Sequence, residues 1–260
     1  TAMARLPRQL AWFIAAAILV LPLRALASEE HADPWQFTLA PYAWLAGQSG
    51  SVGTLPGLPP ADIDVDFYDD ILGNINGALF LLGEARKGKW GGIVDIAYTD
   101  IEDENATPVQ VLWKTAVSQT KSWMVSAAGL YRFWEKDRAY MEGIAGLRYW
   151  RIDSRIALSG GPAPTVERTN KEDWIDPVLG LKGRSFLGGS KFFVDGGLTV
   201  GGFSVGSDFM WDAHANLGYQ WTPTFATTVG YRYLDVDYEN DGFVYDVAQE
   251  GILLGLGWQW

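Results

Sequence analysis

From about residue 34 onward the chain alternates apolar and polar positions in segment after segment. In the last segment Ile252, Leu254, Leu256, Trp258 and Trp260 share one face, and Gly251, Leu253, Gly255, Gly257 and Gln259 share the other. Phe225, Thr227, Val229, Tyr231 and Tyr233 oppose Ala226, Thr228, Gly230 and Arg232 in the same way. Period-two patterning is the mark of strands with two unlike faces. One strand is bracketed by aromatics: Trp211, Ala213, Ala215, Leu217, Tyr219 and Trp221 face Asp212, His214, Asn216, Gly218 and Gln220 across the backbone. Aromatic ends, an apolar middle and a polar reverse face describe a strand that crosses a bilayer, where amphipathic rings sit at both headgroup levels. Trp211, Tyr219, Trp221, Trp258 and Trp260 are therefore expected in an aromatic girdle.

Ten such strands are expected, at about 34–47, 74–86, 90–102, 113–134, 138–158, 170–186, 191–206, 209–222, 225–238 and 243–260. Tight turns at KGK, EKD, LGGS and TPT alternate with longer acidic or Gly/Pro-rich connections. The fold class this implies is all-β, a transmembrane antiparallel up-and-down barrel of about ten strands, within a range of 8 to 12. Short turns on one side and long loops on the other match bacterial outer-membrane barrels, with both termini in the periplasm. Within the longest connection, Ile63, Val65 and Phe67 alternate with Asp62, Asp64 and Asp66. This piece is expected to extend the first hairpin above the membrane and to lead into a helical turn at YDDIL.

Composition refines the class. The chain has 30 Gly, 13 Trp, 11 Tyr and 12 Phe but no Cys, which fits aromatic-rich β structure and leaves no disulfide or Cys-based zinc site. Residues 1–27 combine Arg5 and Arg8, an apolar run from Leu10 to Leu23, and small residues at Ala25 and Ala27. They read as a secretory signal peptide cut after Ala27, which leaves residues 28–260 as the barrel domain. Beyond that segment no run of 18 apolar residues remains, so only a closed barrel could span a membrane. The segment holds three of the 20 Lys and Arg and none of the 31 Asp and Glu, so its removal deepens an already acidic balance. Such a charge argues against nucleic acid, whose binding neutralises phosphates with cations.

Several stretches together resemble a largely uncharacterised family of proteobacterial outer-membrane β-barrel proteins: PYAWLAG (41–47), FYDDILGNINGALFLLGEARKGKWG (67–91), WIDPVLGLKGR (174–184), and GYRYLDVDYEND followed by YDVAQEGILLGLGW. The resemblance implies a fold and an outer-membrane location and brings no agreed activity. The terminal Trp260 in an alternating strand is also similar to the C-terminal signal read by the barrel-assembly machinery. Lipopolysaccharide and that machinery are the expected partners, the barrel is expected to be monomeric, and no cofactor is expected.

The inward faces carry Glu84, Arg86, Asp95, Arg132, Glu142, Arg148, Asp176, Lys182, Arg184, Asp195, Asp212 and Arg232. Six acids and six bases in a small lumen predict a cross-linking charge network that plugs it, since ten strands leave little more room than the eight that side chains just fill. A narrow pore, with one excess sign along a ring, is the alternative. Acidic clusters at Asp62, Asp64, Asp66, Asp69 and Asp70, at Asp100, Glu102, Asp103 and Glu104, and at Asp235, Asp237, Glu239 and Asp241 are placed in the long loops as solvated faces. Asp62, Asp64 and Asp66 are also candidates for a divalent cation, although no EF-hand spacing is present. Asp212 and His214 resemble the aspartate-x-histidine pair of omptin proteases, also ten-stranded barrels; the partner acids such a site needs would be Asp64 and Asp66 or Asp235 and Asp237. A histidine bonded to a neighbouring carboxylate is the commoner state, so no enzymatic activity is expected.

Overall fold

The computed structural model describes residues 33–53, 60–106 and 113–260. The signal-peptide segment and His31 lie outside the described residues. Eleven strands follow in order: β1 (Gln36–Gly53), β2 (Ala61–Val65), β3 (Ile75–Lys87), β4 (Trp90–Ala106), β5 (Thr115–Lys136), β6 (Ala139–Ser159), β7 (Val166–Phe186), β8 (Phe192–Gly201), β9 (Phe209–Thr222), β10 (Phe225–Asn240) and β11 (Phe243–Gln259). Each barrel strand pairs antiparallel with its neighbours, and β11 returns to β1 from Thr38↔Gln259 to Gly53↔Val244. The sheet thus closes into a barrel of ten strands, with β2 as an accessory.

The short turns lie at one end, where Gly88, Asp137 and Gly188 adopt positive φ. Both ends of the barrel chain meet there too, through two hydrogen bonds between Phe37 and Trp260. The β1–β3 ladder runs only from Gln36↔Arg86 to Pro41↔Leu81. Proline has no N–H to continue a ladder, and beyond it β1 takes β2 as partner, from Gln48↔Val65 to Val52↔Ala61. A π-helical turn at Phe67–Ile71 follows and buries Phe67 and Ile71. The expected extension of the first hairpin and its helical turn are both present.

The outer wall shows why these residues need lipid. Leu39, Leu79, Val94, Leu147, Leu179, Leu181, Leu198, Leu217, Val229, Ile252, Leu254 and Leu256 are all exposed. A continuous apolar belt of this extent is far larger than a water-soluble monomer presents. Aromatic residues bound it eight positions apart on single strands: Trp90 and Tyr98, Trp123 and Tyr131, Trp211 and Tyr219, Phe225 and Tyr233. Neighbouring strands bring these rings together, with centroids 4.7 Å apart for Trp90 and Tyr131 and 4.4 Å for Tyr98 and Trp123. Eight steps of about 3.3 Å, tilted by about 40°, cover roughly the height of the apolar band of an outer-membrane barrel.

Strands continue well past the upper aromatic row, and β1, β4, β7 and β10 run further there than the pattern predicts. Asp100, Glu102, Asp235, Asp237 and Glu239 therefore stand on β4 and β10, and not in loops as expected from sequence. β8 instead stops at Gly201, short of the expected 206, because Gly202, Phe203 and Ser204 turn the chain inward with positive φ.

Beyond the upper row the two faces exchange character. Outside, Asp100 pairs with Lys121 and Arg151 with Asp153. On the same outer face Asp235 and Asp237 are pushed above the usual carboxylate range by partial burial and by Asp246 close by. Inside, Trp44, Met124, Trp150, Ile152, Trp174, Met210, Leu234, Val236, Tyr238, Phe243, Tyr245 and Val247 form one buried cluster. This half is built as a barrel in water is built, apolar within and polar without.

At the turn end one close approach fixes the packing. Phe193 is fully buried and its ring lies against Gly218, where a Cβ would come within 2.0 Å of Cζ. Gly218→Val is expected to cost about 1–3 kcal/mol by overpacking, read as a lower urea midpoint in lipid vesicles. Adding Phe193→Ala should recover part of that loss, and an unchanged midpoint in the single variant would remove the contact from the account.

Candidate functional site: the barrel lumen

The lumen holds two layers of charge beneath the aromatic core. In the upper layer Asp212, on β9, accepts from both guanidiniums that reach it: Arg232 donates Nε at 3.0 Å to one oxygen and Nη2 at 2.7 Å to the other, and Arg148 donates Nη2 at 2.8 Å. Arg148 comes from β6 and Arg232 from β10, so the cluster ties separate walls together. Tyr42 extends it to β1 and β4 by donating its hydroxyl to Asp95 at 2.8 Å, with Arg232 3.6 Å from the same carboxylate. Asp212, Arg148 and Arg232 are all buried.

The lower layer centres on Glu142, fully buried on β6. Arg86 of β3 lies 2.6 Å from it, Arg132 of β5 2.9 Å, and Lys182 of β7 3.7 Å. Lys182 also pairs with Glu84 across the barrel, and Arg86 donates to Glu84 at 2.8 Å. A buried charge is tolerable only with such partners. Arg184 and Asp195 form a looser pair on the β7–β8 wall at 3.6 Å.

Eleven of the twelve inward charges named from sequence thus sit in ion pairs. Asp176 does not. It lies level with Arg148 in the β6–β7 register but is turned to neutral donors: Trp150 Nε1 at 2.8 Å, Ser207 N at 2.7 Å and Ser207 Oγ at 2.8 Å. Trp174 Nε1 donates to the same hydroxyl at 2.9 Å. Asp176 therefore latches the inward-turned β8–β9 loop onto the aromatic core, a role that alternation alone does not signal.

That core corrects the expected plug. Trp174 stacks on Tyr238 with centroids 3.9 Å apart and on Trp150 at 5.6 Å. Apolar packing occupies the upper half, and paired charges occupy only the level below it. The inward face was read as one charged lumen along its whole length; beyond the upper aromatic row its positions are core positions.

His214 lies on the turn side of the upper layer, deeper in the barrel than the outer end of its strand. Both oxygens of Asp212 are taken by arginines. Asp235 and Asp237 are on the outer surface of β10, on the far side of the wall, and Asp64 is on β2 above the barrel body. The acids a protease site needs are thus not assembled around His214. Among the described residues no cluster of His, Cys, Asp or Glu has the geometry to hold a metal, Asp62, Asp64 and Asp66 included. The girdle residues Trp211, Tyr219, Trp221, Trp258 and Trp260 all stand on outward positions of β9 and β11 or at the chain end.

No family model and no curated relative matches the chain. Several solved structures are similar to it in outline. The attachment invasion locus protein Ail of Yersinia pestis is 14% identical, with 88% of this chain and 99% of that one covered and a TM-score of 0.34. The translocator domain of the autotransporter NalP from Neisseria meningitidis is 10% identical over 88% and 90%, with a TM-score of 0.43. Neisserial surface protein A is 16% identical over 88% and 99%, at 0.32.

Proposed function

We propose that the protein is a monomeric, non-catalytic integral barrel of the bacterial outer membrane, closed to passage, with its termini in the periplasm and a structural or surface-interacting role carried by the strand extensions. The observation that carries this reading is the packing of the lumen: an aromatic core above a buried ion layer that links β1, β4, β6, β9 and β10. The apolar belt and its two aromatic rows support the membrane setting, and the short-turn end with both termini supports the periplasmic orientation. Lipopolysaccharide around the belt and the barrel-assembly machinery, reading the strand that ends at Trp260, are the partners this reading implies. The alternative, a narrow porin, needs a path through both closures. Folded protein in a planar bilayer is expected to give no unitary current steps. Reproducible ion-selective steps would overturn the closed reading and establish the porin.

A further inference from the structure

Below the upper ion layer the lumen is not filled. A cavity of about 470 Å³ lies there and reaches the turn end at Gln36, Thr224 and Gln259. Residue size makes it: inward positions of β10, β11 and β1 carry Thr228, Gly255, Gly257, Thr38 and Ala40, while the long charged side chains come from β3 and β5–β7 and cross only part of the bore. The volume falls within the range of small-molecule sites.

Six Lys and Arg side chains line the cavity against four Asp and Glu, and Glu142, buried beneath three of those cations, adds a fifth acid. Moving Asp176 out of the network, up to the β8–β9 loop, is what leaves this positive excess inside a chain whose net charge is −11. The excess is not shared equally. Asp212 has both oxygens taken by arginines and Glu142 lies within 2.9 Å of two, whereas Arg184 reaches Asp195 only at 3.6 Å, and Asp195 already accepts from Asn216 at 2.8 Å. The Arg184 side chain is also 32% exposed, against 5% and 7% for Arg148 and Arg232. Its guanidinium lies over the Phe193 ring, 4.4 Å from the centroid, with Phe186 next to that ring.

We propose that this cavity is a binding pocket for a small organic carboxylate with a compact apolar body, entered from the turn end. The planar fork of Arg184 matches a carboxylate, and the apolar body packs on the small-residue wall of β1 and β10. The pocket lies beneath the closure on which the proposed function rests, so it needs no passage through the barrel.

The test uses the full chain folded in lipid nanodiscs and 4-fluorobenzoate as probe, followed by fluorine NMR. Saturable broadening is expected, and 4-fluorobenzamide, the same body without the charge, should bind at least about tenfold more weakly. Arg184→Gln should weaken benzoate binding by at least about tenfold. Ala40→Phe, which fills the cavity from an uncharged position and replaces no ion-pairing residue, should abolish it; this variant decides the matter if Arg184→Gln does not fold. Broadening that never saturates, that the amide reproduces, or that survives Ala40→Phe in folded protein would reduce the effect to partition into lipid and overturn the pocket. Current steps in the planar bilayer would overturn the closed barrel while leaving saturable benzoate binding in place, so the two failures are told apart.

Discussion

Replacing Asp212 with alanine is expected to cost the folded barrel about 3–5 kcal/mol, the usual consequence of removing one partner from a buried ion cluster. The size follows from what remains. Arg148 and Arg232 are both buried, neither can shed its proton, and without Asp212 they face each other across the same gap. Asp95 cannot take over, because it lies 3.6 Å from Arg232 and already accepts from Tyr42. Urea titration of the tryptophan fluorescence in lipid vesicles measures the cost. In an Arg232→Met background the same substitution should cost less, since one stranded cation has gone, with a coupling of about 0.5–3 kcal/mol. A loss below about 1 kcal/mol in the single variant would show that water from the cavity replaces the carboxylate. The upper layer would then be a wet surface, and the closed lumen would rest on the aromatic core alone.

The ion layers and the aromatic core were not equally legible in the sequence. Charges on the inward face stand out because each interrupts an apolar-polar rhythm, and within the membrane the outward face must be apolar, so the facing of Glu84, Glu142, Lys182 and Arg232 follows from parity. Partner choice does not follow, because Lys182–Glu84 and Arg148–Asp212 join strands far apart in sequence. Asp176 shows the limit most clearly: it has the same parity as Lys182 and Arg184, yet its partner Ser207 sits in a loop whose inward turn depends on positive φ at Phe203 and Ser204. The core was hidden for a different reason. In YLDVDYEN the alternation of β10 never breaks, but its meaning reverses beyond Tyr233, where Leu234, Val236 and Tyr238 go inward to the core and Asp235 and Asp237 go outward to water. A period of two fixes which residues share a face and is silent about which solvent each face meets. The acidic outward set was the available signal, since Asp235 and Asp237 next to Tyr233 mark where lipid ends.

The two closures lie in series, and a chain with no cysteine allows each to be probed separately. Trp174→Ala should cost about 3–5 kcal/mol, as large aromatic truncations in a packed core do. It removes the ring that stacks on both Tyr238 and Trp150 and also the indole N–H that holds Ser207. A membrane-impermeant thiol reagent applied from the strand-extension side then reports where water goes. Met124→Cys, beside Trp150 in the β5–β6 register, should be inert in the otherwise unchanged barrel and reactive once Trp174 is truncated. Thr228→Cys, in the cavity wall, should react from the turn end in either background and from the strand-extension side in neither, because the Arg148–Asp212–Arg232 cluster still lies between. Labelling of Thr228→Cys from the strand-extension side after Trp174→Ala alone would show that the ion layer passes solutes and that the aromatic core is the true seal. An inert Met124→Cys in the truncated barrel would instead mean that the surrounding rings collapse into the gap, in which case the loss of stability should fall toward the lower end of the expected range, as it does wherever a core relaxes around a lost side chain.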